Sequence, residues 1–135
     1  MNITGVVERN DNNYYQISSS DELEGHGLGG YGYTVNEAKE DFLRSIEEAR
    51  EMIMEESGVI PAYMNDIKVD FQYDIPSFFN YFDWINVSAF AKKAGINESK
   101  MRAYKSGLAS ASEKTMERIC STIKAMGAEL CSAAL

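Results

Sequence analysis

The sequence predicts an α+β chain: a small antiparallel sheet with one helix, followed by an all-α helix-turn-helix bundle. Three observations carry this. Residues 66 to 74 alternate strictly, with Ile67, Val69, Phe71 and Tyr73 on one side and Lys68, Asp70 and Gln72 on the other, the period of a half-buried strand. Residues 87 to 106, VSAFAKKAGINESKMRAYKS, place small, turning and apolar residues where a helix-turn-helix constrains them. Charge is also divided: residues 1 to 85 hold 5 Lys+Arg against 17 Asp+Glu, or -12, and residues 86 to 135 hold 8 against 4, or +4, within a net -8.

In chain order, residues 3 to 8 and 14 to 18 are β-favouring runs. Arg9-Asn10-Asp11-Asn12-Asn13 between them tolerates the turn conformations of a hairpin. Gly25-His26-Gly27-Leu28-Gly29-Gly30 reads as a flexible loop, with a third short strand over residues 31 to 34. Thr34-Val35-Asn36-Glu37 has the form of a capping box, so a helix starts there. Ala38, Phe42, Ile46, Ala49 and Ile53 recur at helical spacing, and Gly58 followed by Pro61 stops the pattern. The alternating strand comes next. Pro76 lacks the donor that a continuing strand would use and suits a first helical turn, which divides the chain into domains 1–74 and 75–135.

The second domain opens on an aromatic segment, Phe78, Phe79, Tyr81, Phe82, Trp84 and Ile85, expected to form the first helix of the bundle. In the stretch that follows, Ala91 stands where two helices cross and Gly95 where the chain turns. Phe90, Ala94, Ile96, Met101 and Tyr104 supply the inward apolar sites. Glu98, Arg102 and Lys105 are left on one outward stripe able to enter a major groove. Ser112 opens a last helix with an apolar stripe of Met116, Ile119, Cys120, Ile123 and Gly127, extended by Leu130 and Cys131. Part of that stripe is expected to close the bundle and part to serve as a dimer contact.

Several function classes fall away. The G-x-G-x-x-G spacing of residues 25 to 30 lacks the strand-to-helix context of a dinucleotide site, so no cofactor is expected. His26 is the single histidine, which removes histidine-based triads and multi-histidine metal sites. Glu8, Asp66, Asp70 and Asp74 raise a metal-dependent nuclease, but the three aspartates would spread over some 27 Å of strand, too far to share two ions. The chain reads as no enzyme, with no metal site. Cys120 and Cys131 lie about 16 Å apart by helical rise and read as reduced core or interface residues. With no long apolar run and no leader, a cytoplasmic location without membrane contact is expected.

A basic second half suits a phosphate backbone, and the residue types agree. Asn97, Glu98 and Ser99 open the second helix of the motif, with Arg102 one turn on; these are the candidate base-reading residues. Lys100, Lys105, Ser112 and Lys114 are the candidate phosphate contacts, Ser112 through its helix N-terminus. Such bundles also serve as protein-binding modules, an alternative these residues leave open.

AFAKKAGINESKMRAYKSG resembles the Xre/Cro-type helix-turn-helix of bacterial and phage repressors, with Gly107 where that family ends its recognition helix and Ser112 where it begins the next. The first half resembles the HicB antitoxin domain. GVVERNDNNYYQIS stands for its two strands, and GYTVNEAKEDFLRSIEEA carries the family's residues as Gly32, Thr34, Glu37 and Ala38. Asp21-Glu22-Leu23-Glu24-Gly25 replaces the proline-containing turn usual there. The resemblance implies a degenerate RNase H-like sheet without catalysis, fused to a DNA-binding domain that represses its own operon. It also implies two kinds of partner: double-stranded operator DNA, read as a homodimer or higher homo-oligomer, and a small basic HicA-type toxin that cleaves mRNA. A stand-alone regulator with a small-ligand pocket beside the glycine-rich segment is the competing expectation.

Overall fold

Ile3, Gly5 and Val7 are buried at alternate positions, and they make β1 (Asn2–Arg9) an inner strand of a four-stranded sheet in the computed structural model, which describes all residues from Met1 to Leu135. With β2 (Tyr15–Leu23), β3 (His26–Gly32) and β4 (Lys68–Tyr73), the order is β3-β2-β1-β4. Two turns make the antiparallel part. In the first, the Asn10 side chain accepts the Asn12 N–H at 2.9 Å and Asn13 takes φ 65°. In the second, Glu24 and Gly25 take φ 50° and 81°, the two positive values of a type I′ hairpin turn. Where the β2–β3 register shifts between Ser18 and Glu22, the Asp21 carboxylate accepts the Thr4 N–H at 2.8 Å and the Ser19 hydroxyl donates to the Thr4 carbonyl at 2.7 Å.

β4 pairs with β1 in parallel, so the sheet is mixed rather than antiparallel as expected. The period-2 pattern fixes which face of β4 is buried but says nothing about strand direction. Direction comes from the connection: a helix follows β3 and returns the chain, so β4 runs the same way as β3 and β1.

That helix is α1 (Val35–Ser57), which buries Val35, Ala38, Phe42, Ile46, Ala49 and Ile53. The Thr34 hydroxyl accepts the Glu37 N–H at 3.1 Å, while the Glu37 carboxylate reaches one residue further than a capping box, to the Tyr33 N–H at 2.9 Å. Gly58 ends the helix at φ 73° with its N–H on the Met54 carbonyl at 2.8 Å. A short 3₁₀ helix, Ala62–Asn65, then buries Met64, whose carbonyl accepts from the Arg50 guanidinium.

The glycine-rich segment is not a loop followed by a strand; it is β3 itself. A Cβ on Gly30 would stand 2.5 Å from the Phe42 nitrogen and 2.6 Å from the Ala38 carbonyl oxygen. One on Gly32 would stand 2.6 Å from the Ala38 nitrogen. These glycines let the α1 backbone lie directly on the strand. Glycine weakens a strand by entropy, so composition alone reads as loop; close helix packing offsets that cost.

Asp74 closes the sheet and opens α2 (Ile75–Tyr81), accepting the Arg9 N–H at 3.0 Å and the Ser77 N–H at 2.8 Å. The Asn80 side chain accepts the Val35 N–H at 3.0 Å, and the Lys39 ammonium stands 3.5 Å above the Tyr81 ring. This helix therefore belongs to the first of two compact units, Met1–Tyr81 and Phe82–Leu135, and not to the bundle. The division falls seven residues beyond the expected one at residues 74 and 75. Pro76 ends a strand and starts a helix; it does not end the hydrogen-bonded neighbourhood.

The second unit contains α3 (Val87–Ala94), α4 (Glu98–Ser106) and α5 (Glu113–Ser132), with Phe90, Ala91, Ala94, Met101 and Ile119 buried. Of the expected α5 stripe only Ile119 is buried and Ile123 half-buried; Met116, Leu130 and both cysteines are exposed, so the cysteines are not core residues. A 20-residue helix outruns partners of 8 and 9 residues. No helix is long and apolar enough to cross a membrane.

Two measurements check this packing. Gly30→Ala should lower the stability of the first unit by about 1–3 kcal/mol in urea unfolding, because the α1 backbone at Ala38 and Phe42 blocks the methyl. Gly27→Ala, with open space around the added carbon, should stay within about 0.5 kcal/mol. A fragment of residues 1–81 should unfold cooperatively at a higher urea midpoint than one of residues 1–74, since the shorter one loses the Asn80 bond to Val35 and the Tyr81 contact with Lys39. Equal midpoints would place α2 outside this unit.

Candidate nucleic-acid interface

Local rules set the geometry of α3 and α4. Asn86 caps α3 by accepting the Ala89 N–H at 2.9 Å. The helix ends in a Schellman motif: Gly95 takes φ 67°, its N–H reaches the Lys92 carbonyl at 3.2 Å, and the Ile96 N–H reaches the Ala91 carbonyl at 2.9 Å. Three residues later α4 begins, and it ends the same way, with Gly107 at φ 81° and the Leu108 N–H on the Ala103 carbonyl at 3.0 Å. Of the apolar sites expected here, Phe90, Ala91, Ala94 and Met101 are buried, while Ile96 and Tyr104 are half-buried.

An arginine that the sequence reading did not single out holds the turn. The Arg118 guanidinium, on α5, donates to the Gly95 carbonyl at 3.1 Å. Helical spacing from the buried Ile119 places position 118 only on the flank of that face, so periodicity gave no sign of the contact. Asn86 was also missed, although an Asn just before an apolar helical run is a capping signal.

The expected base-reading residues gather at one helix end. The Asn97 side-chain oxygen accepts the Ser99 and Lys100 N–H groups at 2.9 and 3.2 Å, so it acts as the α4 cap and leaves its amide N–H groups as donors. Glu98 pairs with Arg102 at 3.7 Å and with Lys92 at 4.0 Å; Arg102 also donates to the Ser99 hydroxyl at 3.4 Å. Side-chain exposures of 41% for Glu98 and 53% for Arg102 make these weak, water-screened contacts. The face is polar, preassembled and uncovered within this unit.

Of the expected phosphate contacts, Lys100, Lys105 and Lys114 are exposed. Ser112 caps α5, accepting the Thr115 N–H at 3.2 Å, with Lys114 in the same first turn. Counted over the two units, Met1–Tyr81 holds 5 cationic against 16 acidic residues, or -11, and Phe82–Leu135 holds 8 against 5, or +3. The cationic excess is thus confined to the unit that carries α4.

In the first unit, backbone of α1 fills the helix-facing side of the glycine run, where a ligand pocket would need space. An open groove of about 400 Å³ lies at its end, lined by Tyr14, Tyr31, Gly32 and Tyr33. Comparison with models of protein families, with curated proteins and with solved structures gives no match, so the function is argued from the chain's own residues.

Proposed function

We propose that the chain is a sequence-specific DNA-binding repressor of its own operon and the antitoxin of a HicA/HicB-like pair, with no enzymatic activity. One observation carries the DNA reading: α3, a glycine turn and α4 leave Asn97, Ser99 and Arg102 exposed on α4, with Glu98 half-buried among them. On this reading α4 enters the major groove. Arg102 exchanges its exposed contacts for the O6 and N7 of a guanine, and Lys100, Lys105, Lys114 and the α5 N-terminus at Ser112 hold phosphates. Two copies on a palindromic operator would double these contacts.

The antitoxin part rests on charge and on the resemblance of the first unit to the degenerate RNase H-like HicB domain. α1 carries 8 acidic and 3 basic residues. All three cations are engaged, Lys39 over aromatic rings, Arg44 with Asp41 and Arg50 on the Met64 carbonyl, while Glu40, Glu47, Glu48, Glu51, Glu55 and Glu56 are exposed. Such a face attracts a small basic protein. A second reading, a stand-alone regulator sensing a small ligand, is favoured by the tyrosine-lined groove; titration calorimetry against a metabolite collection would support it, and a basic product of the neighbouring gene would support the antitoxin.

Arg102→Ala should relax specificity at one base pair of a selected operator and cost about 1–3 kcal/mol of binding. Lys114→Ala should weaken all sequences alike and reduce the salt slope by about one. Unchanged affinity and slope in both variants would exclude α4 as the groove-reading helix.

Residues 1–81 alone should bind the basic partner and lose operator binding entirely, with affinity falling as salt rises. Growth rescue by residues 82–135 instead, in cells expressing the toxin, would reverse the assignment of the two units.

A further inference from the structure

The two edges of the sheet are finished differently. On β3 the outward donors are satisfied by α1: the Gly29 N–H reaches Ser45 Oγ at 3.2 Å and the Tyr31 N–H reaches Asp41 at 2.9 Å. No strand can add there without displacing those side chains. The β4 edge has no such cover. The Lys68 N–H bonds the Met1 carbonyl at 2.9 Å and the Asp74 N–H bonds the Val7 carbonyl at 3.1 Å, so the even-numbered residues of β4 face β1. In a parallel ladder the alternate residues, Val69 and Phe71, then turn their N–H and C=O groups outward.

We propose that two copies of the chain join edge to edge through β4, antiparallel, about a two-fold axis at Phe71. Side-chain chemistry favours this register over its immediate neighbours. With Phe71 opposite the partner's Phe71, Lys68 stands opposite the partner's Asp74, and symmetry gives that pair twice. Asp70 then stands opposite the partner's Gln72, whose amide can donate to it. On the other face Val69 meets the partner's Tyr73, a β-branched and aromatic pair of the kind that stabilises sheets.

The neighbouring registers fail on charge. Centring the axis on Asp70 sets that carboxylate against its own copy and Asp66 against the partner's Asp74. Centring it on Gln72 sets Asp70 against the partner's Asp74. Registers between these oppose an outward-bonding residue to one that faces β1, and no ladder forms. Pairing through this edge extends the sheet across both copies. It stands independently of the DNA and toxin readings.

Light scattering and sedimentation equilibrium of the full chain should give twice the chain mass of 15.1 kDa. Lys68→Glu, which sets two carboxylates against each other at both ends, should raise the dimer dissociation constant by roughly tenfold or more. Val69→Pro removes an outward donor and should do the same, and circular dichroism would report whether either variant has lost its fold. Asp70→Cys with Gln72→Cys, in a Cys120→Ser, Cys131→Ser background, should oxidise to a covalent dimer linked between positions 70 and 72 of different copies. A monomer at tens of micromolar would overturn the proposal. So would a dimer with unchanged affinity in a folded Lys68→Glu variant and no link between positions 70 and 72; such a dimer would use another surface.

Discussion

The first unit depends on the contact of α1 with β3 across Gly30 and Gly32. Backbone lies against backbone there, since the Cβ of any other residue would fall within 3 Å of main-chain atoms on α1. That approach has a second effect: it brings α1 side chains within reach of the strand's outward donors. Glu37, Asp41 and Ser45, one helical turn apart, accept from Tyr33, Tyr31 and Gly29 in order. A single stripe of the helix thus substitutes for a fifth strand. With α1 fixed in this direction, β4 can only return parallel to β1, and its Phe71 ring covers the small Gly5, where an added Cβ would come 3.1 Å from the ring.

Much of this was legible. Helical spacing gives the buried face of α1, and alternation gives the buried face of β4, because both are single-element periodicities. What involves two elements was not. Nothing local in Gly-His-Gly-Leu-Gly-Gly distinguishes a glycine that needs freedom from one that needs space; only the helix lying on it does. Likewise Pro76 marks a change of element, but whether α2 stays with the sheet is decided by Asp74, Asn80 and Tyr81 reaching back to Arg9, Val35 and Lys39. The strand direction of β4 was hidden for the same reason.

The candidate interface was legible to a greater degree because its geometry is set by short-range rules. Two glycines at positive φ, two asparagine caps and four buried apolar residues define α3, the turn and α4 almost without help. The exception is the Arg118 bond to the Gly95 carbonyl, which comes from α5. Glycine carbonyls at a helix end are under-satisfied, and an arginine there meets both the hydrogen-bonding need and the negative end of the α3 dipole. α5 therefore holds the angle at which α4 leaves the turn.

On the proposed DNA reading, Glu98 has an unusual place in a cationic unit, because a carboxylate in the first turn of α4 would oppose phosphate. Its ion pairs with Arg102 and Lys92 are exposed and contribute about 0–1 kcal/mol each, so they are easily exchanged. Their effect is on conformation more than on stability. Arg102, otherwise a long side chain with many rotamers, is held along the helix by Glu98 and the Ser99 hydroxyl before any ligand arrives. Ordering a long side chain on binding costs about 0.5–1.5 kcal/mol, and a guanidinium already held pays less of it. A backbone phosphate offers Glu98 nothing in return for losing Arg102, whereas a cytosine amino group offers a donor to the freed carboxylate. On the proposed DNA reading, the pair would discriminate against contacts that satisfy the arginine alone and favour those in which a guanine and a cytosine satisfy both partners.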